Sequence, residues 1–479
     1  MLVLSRGDAA PATFEKIIIV YRHDLGAQLA EMSIPESNAI NLQEWLSAPY
    51  VALPSLVTAA RTIFEHQPLP SIRRAQSAGI PQALAALQQA ATTAKNRGQR
   101  HLALVTGVPG AGKTLVGLQF VYESGREDSD GKQDAIFLSG NGPLVQVLQY
   151  VLESKVFVRD VHGFLKQHGG SKKKTPTEHI WVYDEAQRAW DVERVRDSRP
   201  DGFSEPEDFV RLADRMADWG LVVGLIGEGQ EINKGEESGL IQWNDAIGVS
   251  EREWFVHAPR RLASLFDAAH VVIEDDALDL TESLRSHLAQ DIPRWIVIFL
   301  DGQFDDARKL MNKITEQGFD AYVTRDLATA KNYLRQRYAD QESKRYGLLA
   351  SSKASSLDKY GINREFMHLK RVPVDKWYGE PPSSPDSCCQ LREVATEFSC
   401  QGLELDFPLV CWGDDLLWKD AWISKPVKNR RDPHQLKLNA YRVLLSRGRD
   451  GFIVWVPPED KPLDDTYDAL VNSGLRVLD

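Results

Sequence analysis

The chain has 479 residues, 43% of them apolar and 26% charged, with a net charge of −11 at neutral pH, which suits two or three soluble domains. No apolar run approaches the roughly 20 residues of a membrane-spanning helix and no secretory signal opens the sequence, so no membrane partner is expected and a cytoplasmic location is. The acidic balance argues against a uniform basic coat for nucleic acid but leaves room for a local groove, because affinity follows the phosphates actually contacted. Cys388, Cys389, Cys400 and Cys411 contain no CxxC pair and no interspersed histidine, so buried or idle thiols are expected rather than disulfides or a zinc site.

Residues 1–80 carry no catalytic signature. Ile17 to Tyr21 reads as a strand and Leu56 to Phe64 as a short helix, before Pro68 and Pro70 break the pattern. From Pro81, the spacing of Leu84, Leu87 and Ala91 predicts an amphipathic helix that leads into the apolar strand Leu102 to Val105. Next comes Gly107-Val108-Pro109-Gly110-Ala111-Gly112-Lys113-Thr114, a full match to the phosphate-binding loop. Its glycines keep side chains out of the turn, so backbone N–H groups can close around a polyphosphate, and the helix that follows adds its positive dipole end. Lys113 suits the β and γ phosphates. The Thr114 hydroxyl suits Mg²⁺, which takes oxygen ligands octahedrally.

Strands and helices then alternate, the sequence form of a doubly wound parallel sheet. Ala135 to Leu138 is a strand ended by the turn Ser139 to Pro143, and a helix runs through Leu144, Leu148 and Val151. Lys172, Lys173 and Lys174 form a compact basic loop, read either as a solvated turn or as a phosphate contact. The strand Ile180 to Tyr183 delivers Asp184 and Glu185 at its tip, on a strand expected to neighbour the phosphate loop. Asp184 there can hold Mg²⁺ and Glu185 can orient and deprotonate an attacking water. The strand Leu221 to Ile226 ends in Gly227-Glu228-Gly229-Gln230, whose glutamine suits a phosphate sensor because it donates and accepts at once.

A second α/β set begins near Leu280, with strands at 320–323, 346–350, 408–412 and 452–456 and a helix through Leu438, Tyr441 and Leu445. Arg285 and Arg447 are candidates for the bidentate charge that stabilises a transferring phosphoryl group. The stretch 412–437, read as an insertion, interleaves Trp412, Trp418 and Trp422 with Lys425, Lys428, Arg430 and Arg431. Such a pattern fits stacking on single-stranded bases; core tryptophans beside a solvated loop fit equally well.

The segment Val394-Ala395-Thr396-Glu397-Phe398-Ser399-Cys400-Gln401-Gly402-Leu403-Glu404-Leu405-Asp406 resembles the fifth motif of superfamily-one helicases. Together with Gly107 to Thr114, Tyr183 to Asp191, Gly227 to Asn233 and Asn439 to Arg447, it makes the chain similar to the Schlafen group-3-like DNA/RNA helicase domain family of P-loop NTPases, from about residue 88 to 460. The resemblance implies two RecA-like lobes with ATP between them, 81–280 and 281–479, beside a small N-terminal α/β extension, 1–80. It also implies phosphate sensing by Gln187 and Gln230, arginine fingers at Arg285 and Arg447, and a nucleotide contact from Gly402 and Glu404. Two departures stand out: Glu228 where many such helicases have Asp, and no glutamine motif upstream for adenine. The expected function is an ATP-dependent translocase or remodelling motor on single-stranded DNA or RNA, with anti-phage defence suggested by family association and protein partners allowed. The alternative is an ATP-driven switch in a protein assembly.

Overall fold

The computed structural model describes residues 2–5, 12–14, 17–21, 56–64 and 79–479, apart from 108–109, 126–133, 170–173, 198, 201, 228–236, 281–290, 370, 425–432 and 459–460. The chain divides into two compact units, Met1–Ala52 and Leu53–Asp479. In the first, β1 (Leu2–Ser5) pairs in parallel and β2 (Ala12–Phe14) antiparallel with β3 (Ile17–Tyr21).

The second unit holds two parallel sheets flanked by helices. The first sheet contains β4 (Arg100–Gly107), β5 (Ala135–Ser139), β6 (Val158–Asp160), β7 (Ile180–Asp184), β8 (Gly220–Gly227), β9 (Trp254–Ala258), β10 (Val271–Glu274) and β11 (Asp279–Leu280). They are ordered β10-β9-β4-β8-β7-β5-β6, with β11 also pairing with β4. The second sheet is ordered β14-β13-β15-β18-β12-β19, from β12 (Asp320–Thr324), β13 (Tyr346–Ala350), β14 (Val394–Thr396), β15 (Phe407–Cys411), β18 (Gly451–Trp455) and β19 (Arg476–Val477). The antiparallel hairpin β16 (Leu416–Lys419) and β17 (Ala421–Ser424) lies within the stretch read as an insertion.

Side chains alternate across the first sheet with the strand period of two. Leu102, Leu104, Ile136, Trp181 and Val222 pack in one apolar cluster, whereas Ala103, Val105, Phe137, Val182 and Val223 pack in the other. Both faces are buried, which is why these strands read as continuous apolar runs. The second cluster continues into the other lobe through Trp377, Tyr378 and Leu409, so the lobes share packing as well as a linker.

The helix Ile80–Arg97 shows how local chemistry sets an element. It starts after Gly79 with proline in its first turn, buries Ile80, Ala83, Leu84, Leu87, Ala90 and Ala94, and carries Lys95 and Arg97 in its last turn, where cations suit the dipole. Gly98, at φ 62°, stops it. Leu87 is fully buried, so Leu87→Ala should cost ~2–5 kcal/mol. The helix Leu56–Phe64, grouped by sequence with residues 1–80, packs on the helices Lys113–Ser124 and Gly142–Val151 of the first lobe.

Candidate nucleotide site between the lobes

The phosphate loop leaves β4 at Gly107. There β11 runs alongside so closely that a Cβ would meet the Leu280 carbonyl oxygen at 2.5 Å, and the φ of 156° also favours glycine. Gly112, at φ 90°, precedes the helix Lys113–Ser124 without a side-chain cap, and a helix start of this kind presents the positive end of its dipole to the loop. Val108 and Pro109 lie outside the described residues; Gly110, Ala111 and Gly112 follow in the turn. The Lys113 ammonium donates to the Gly107 carbonyl at 2.7 Å.

Asp184 ends β7, but not on a strand adjacent to β4: β8 lies between them, contrary to the neighbouring position expected from sequence. The helix after the loop closes that gap. Its Gly117 sits against Leu225, Val182 and Phe137 of β8, β7 and β5, with no room for a Cβ. Thr114 therefore arrives above β7, and its hydroxyl donates to Asp184 Oδ1 at 3.2 Å. Burial, with the Glu185 charge beside it, pushes the Asp184 carboxyl up to about 7. A buried carboxylate and a hydroxyl at the start of that helix are hard oxygen donors that fit Mg²⁺.

Glu185 adopts φ 58°, an unusual left-handed conformation for such a residue. Its carboxylate accepts from Gln187 Nε2 at 2.6 Å and lies 3.6 Å from Arg188 Nε. Gln187 Oε1 in turn accepts from the Gly227 N–H of β8 at 3.0 Å. The end of β7 is fixed from its other side, where the buried Glu205 accepts from the Tyr183 hydroxyl at 2.7 Å and from the Trp190 N–H at 2.9 Å. Gln230, Glu228 and Arg285 lie outside the described residues. The segment leading to Arg285 nevertheless starts at β11, beside the phosphate loop. Asp279 accepts there from Thr106 at 2.7 Å and from Arg261 Nε at 3.0 Å.

From the second lobe, Arg447 stands just beyond the helix Pro433–Leu445. Its Nε donates to the Val443 carbonyl at 3.0 Å, and its main-chain oxygen accepts from Leu405 N–H at 2.9 Å. Arg447 and the Gly402-Leu403-Glu404 turn are thus brought together, with Arg447 Nη1 3.5 Å from the Leu403 oxygen. The Tyr378 hydroxyl donates to the Glu404 main-chain oxygen at 2.5 Å.

Sequence reasoning missed the contact between lobes. Asn141, which caps the helix Gly142–Val151 through Leu144 N–H, donates from Nδ2 to the Gln401 carbonyl at 2.9 Å. At the other end of that helix the Tyr150 hydroxyl bonds Glu380, which pushes the phenol up to about 12. The cap was legible in Ser139-Gly140-Asn141-Gly142-Pro143; a partner 260 residues away leaves no local signal.

The expected nucleic-acid residues fare unevenly. Lys172, Lys173, Lys428, Arg430 and Arg431 lie outside the described residues, while Lys174 is exposed. Trp412 and Trp422 are buried. The half-buried Trp418 ring packs on Phe304, 4.6 Å between centroids, and against Gly302, so part of its surface is taken up by packing inside the second lobe. Among the described residues, Phe398 is an aromatic that faces solvent, 64% exposed, and it lies within the segment that resembles the fifth motif. Its turn is rigid: Thr396 N–H donates to Ser399 Oγ at 2.8 Å, Cys400 N–H to Thr396 O at 2.9 Å, and Ser352 holds the Glu397 carboxylate through N–H and hydroxyl at 2.8 Å each. All four cysteines are buried free thiols. No helix among the described residues is long and apolar enough to cross a membrane.

Two parallel sheets flanked by helices, with a phosphate-type loop and an acidic strand tip in one lobe and an arginine beside a glycine turn in the other, define a RecA-like, helicase-like protein of the NTPase type. The sequence model of Schlafen group 3, DNA/RNA helicase domain, matches residues 100–458. The chain belongs to that family. Among solved structures it is similar to Pif1 helicases described in DNA unwinding at forked double-stranded DNA, at 13% identity and a TM-score of 0.32, covering 83% of this chain and 97% of that one. It is also similar to the PRRSV helicase, at 11% identity and a TM-score of 0.22, covering 78% of this chain and 55% of that one. No curated protein matches it.

Proposed function

We propose that this chain hydrolyses ATP between its two lobes and couples the reaction to movement on, or remodelling of, single-stranded DNA or RNA. The observation that supports the reading is the 3.2 Å contact between Thr114 and Asp184, two hard oxygen donors suited to magnesium, each next in sequence to Lys113 or Glu185. MgATP, when bound, supplies the phosphoanhydride and the cation that neutralises its charge.

The chain's own residues do the rest. Lys113 exchanges its Gly107 carbonyl for phosphate oxygens. Thr114 and Asp184 would hold the cation. Glu185 orients a water and takes its proton as that oxygen attacks the γ phosphorus, and the β–γ anhydride bond breaks with ADP as the leaving group. Gln230 senses the γ phosphate, and Arg285 and Arg447 place guanidinium charge on it as it transfers. Glu404, held through its main chain by Tyr378, contacts the nucleotide from the second lobe.

The strand side of the reading rests on family membership and on Phe398, an aromatic presented to solvent by a braced turn four residues before Gly402. Exposed Lys353 follows Ser352, the residue that braces Glu397, and supplies the cation that such platforms combine with an aromatic face. A steady-state ATPase assay with and without single-stranded DNA and RNA tests the proposal. Hydrolysis that no strand stimulates would move the chain to the ATP-driven switch.

A further inference from the structure

Gln187 follows the acidic pair Asp184-Glu185, and the resemblance gives it a γ-phosphate contact. Its geometry suits another task. The side chain is 7% exposed, and both ends of its amide are engaged: Oε1 accepts from the Gly227 N–H at 3.0 Å, and Nε2 donates to Glu185 Oε2 at 2.6 Å. The chemistry fixes which end is which, since a backbone N–H needs an acceptor and a carboxylate needs a donor.

The surroundings are built around this bridge. A Cβ on Gly227 would lie 3.0 Å from Gln187 Nε2 and 3.3 Å from Glu185 Oε2. Gly239 abuts the Gln187 main-chain oxygen where no Cβ fits. The Trp243 indole donates to the Ala186 oxygen at 3.3 Å. Glu185 itself sits in a left-handed backbone conformation that persists only when neighbours hold it. To reach a phosphate, Gln187 would have to abandon either the β8 N–H or the carboxylate, leaving a buried group without its partner.

We infer that Gln187 is a positioning residue that ties the Glu185 carboxylate to the end of β8, and is not a contact to the γ phosphate. The inference rests on the proposed hydrolase activity of the same site. It also links the acidic tip to Gly227, the last residue of β8.

The test compares Gln187→Leu, which removes both bonds, with Gln187→Glu, which keeps an acceptor for Gly227 but sets a second carboxylate against Glu185. Turnover is measured at saturating ATP, and affinity with fluorescent ADP and a non-hydrolysable ATP analogue, whose binding also reports that the site is folded. Both variants should lose ~10²-fold in turnover, within the range ascribed to a positioned base. Both affinities should stay within about threefold of wild type, the signature of an interaction made only in the transition state. Adding Gln187→Leu to Glu185→Gln should slow the enzyme no further, because the two act as one unit. Loss of discrimination between the ATP analogue and ADP with turnover retained would overturn the inference in favour of a direct phosphate contact, as would additive losses in the double variant. Wild-type protein that hydrolyses no ATP would instead sink the hydrolase reading itself, and this inference with it.

Discussion

Asn141 and Gln401 join the two lobes: the amide that caps the helix after β5 also donates to the carbonyl just before Gly402, at 2.9 Å. The turn it touches leads straight to Glu404 and packs on Arg447, so a strand-end loop of one lobe is tied to the glycine turn of the other. Asn141→Asp keeps the cap but replaces the donor with an anion facing a carbonyl. It should leave unstimulated ATPase near wild type while reducing stimulation by an oligonucleotide severalfold. Gly402→Ala should act in the same direction and also destabilise the fold, by ~1 kcal/mol or more, because φ is 73° and a Cβ would overlap Asn141 Nδ2. Equal stimulation in Asn141→Asp and wild type would mean that the contact carries no coupling.

Lys113 and Glu185 should separate binding from chemistry. In the proposed mechanism the lysine would contact ground-state phosphates, whereas the carboxylate would act as water attacks. Lys113→Ala is expected to abolish ATP binding by isothermal titration. Glu185→Gln should bind ATP normally and turn over ~10²–10⁴-fold more slowly. Full turnover in Glu185→Gln would remove it from the role of base.

Arg447 stands beside the glycine turn with its guanidinium next to the Leu403 carbonyl. If it serves the transferring phosphoryl group, Arg447→Ala should lower turnover by ~10³-fold with a smaller loss of affinity. Lysine should rescue poorly, lacking the planar fork. The same pattern is expected for Arg285. Single-turnover kinetics distinguish this from slow product release.

Acid should weaken the first lobe through a buried histidine pair. His101 Nδ1 and His257 Nε2 are 2.8 Å apart, and His101 Nε2 lies 3.3 Å from Gln99 Oε1, an arrangement that neutral rings satisfy. Burial, then His257 and Arg97, pushes His101 down to about 3, and burial lowers His257. A depressed folded value contributes stability above the unfolded value of about 6.5, lost as pH falls toward the folded value. Unfolding midpoints should therefore decline on acidification from about pH 6.5 toward pH 3, and His101→Gln should flatten the decline. An unchanged slope would place the acid sensitivity elsewhere.

What could be read from the sequence follows from what is local. The phosphate loop announces itself because glycine spacing, lysine and threonine lie within eight residues, and β4, β5, β7 and β8 because strands buried on both faces are continuous apolar runs. Asp184 and Glu185 were legible as the tip of such a run. The insertion of β8 between β4 and β7 was not, since strand order depends on contacts between distant segments. Nor was the inward packing of Trp418 on Phe304, because an aromatic among cations reads alike whether its ring faces a core or a strand. Phe398 shows the converse: its exposure depends on a turn whose braces, Ser352 and Ser399, belong to two different strand ends.

Binding of single strands should be steeply salt-dependent, since each neutralised phosphate releases counterions, with a slope of ~0.7 per contact. Replacing Lys428, Arg430 and Arg431 together by alanine should flatten that slope if this loop lines the groove. Phe398→Ala should weaken binding by ~1–3 kcal/mol with little base preference, the loss expected of one stacked base. Fluorescence anisotropy across a salt series reads both effects; a Phe398→Ala variant that binds like wild type would leave the turn without a strand.

The decisive measurement is steady-state ATP hydrolysis by the wild-type chain and Lys113→Ala, each with magnesium, in the presence and absence of single-stranded DNA and RNA oligonucleotides. A nucleic-acid motor predicts hydrolysis that requires magnesium, rises when a strand is added and vanishes in Lys113→Ala. Hydrolysis indifferent to every oligonucleotide, or none at all in the wild type, would contradict it.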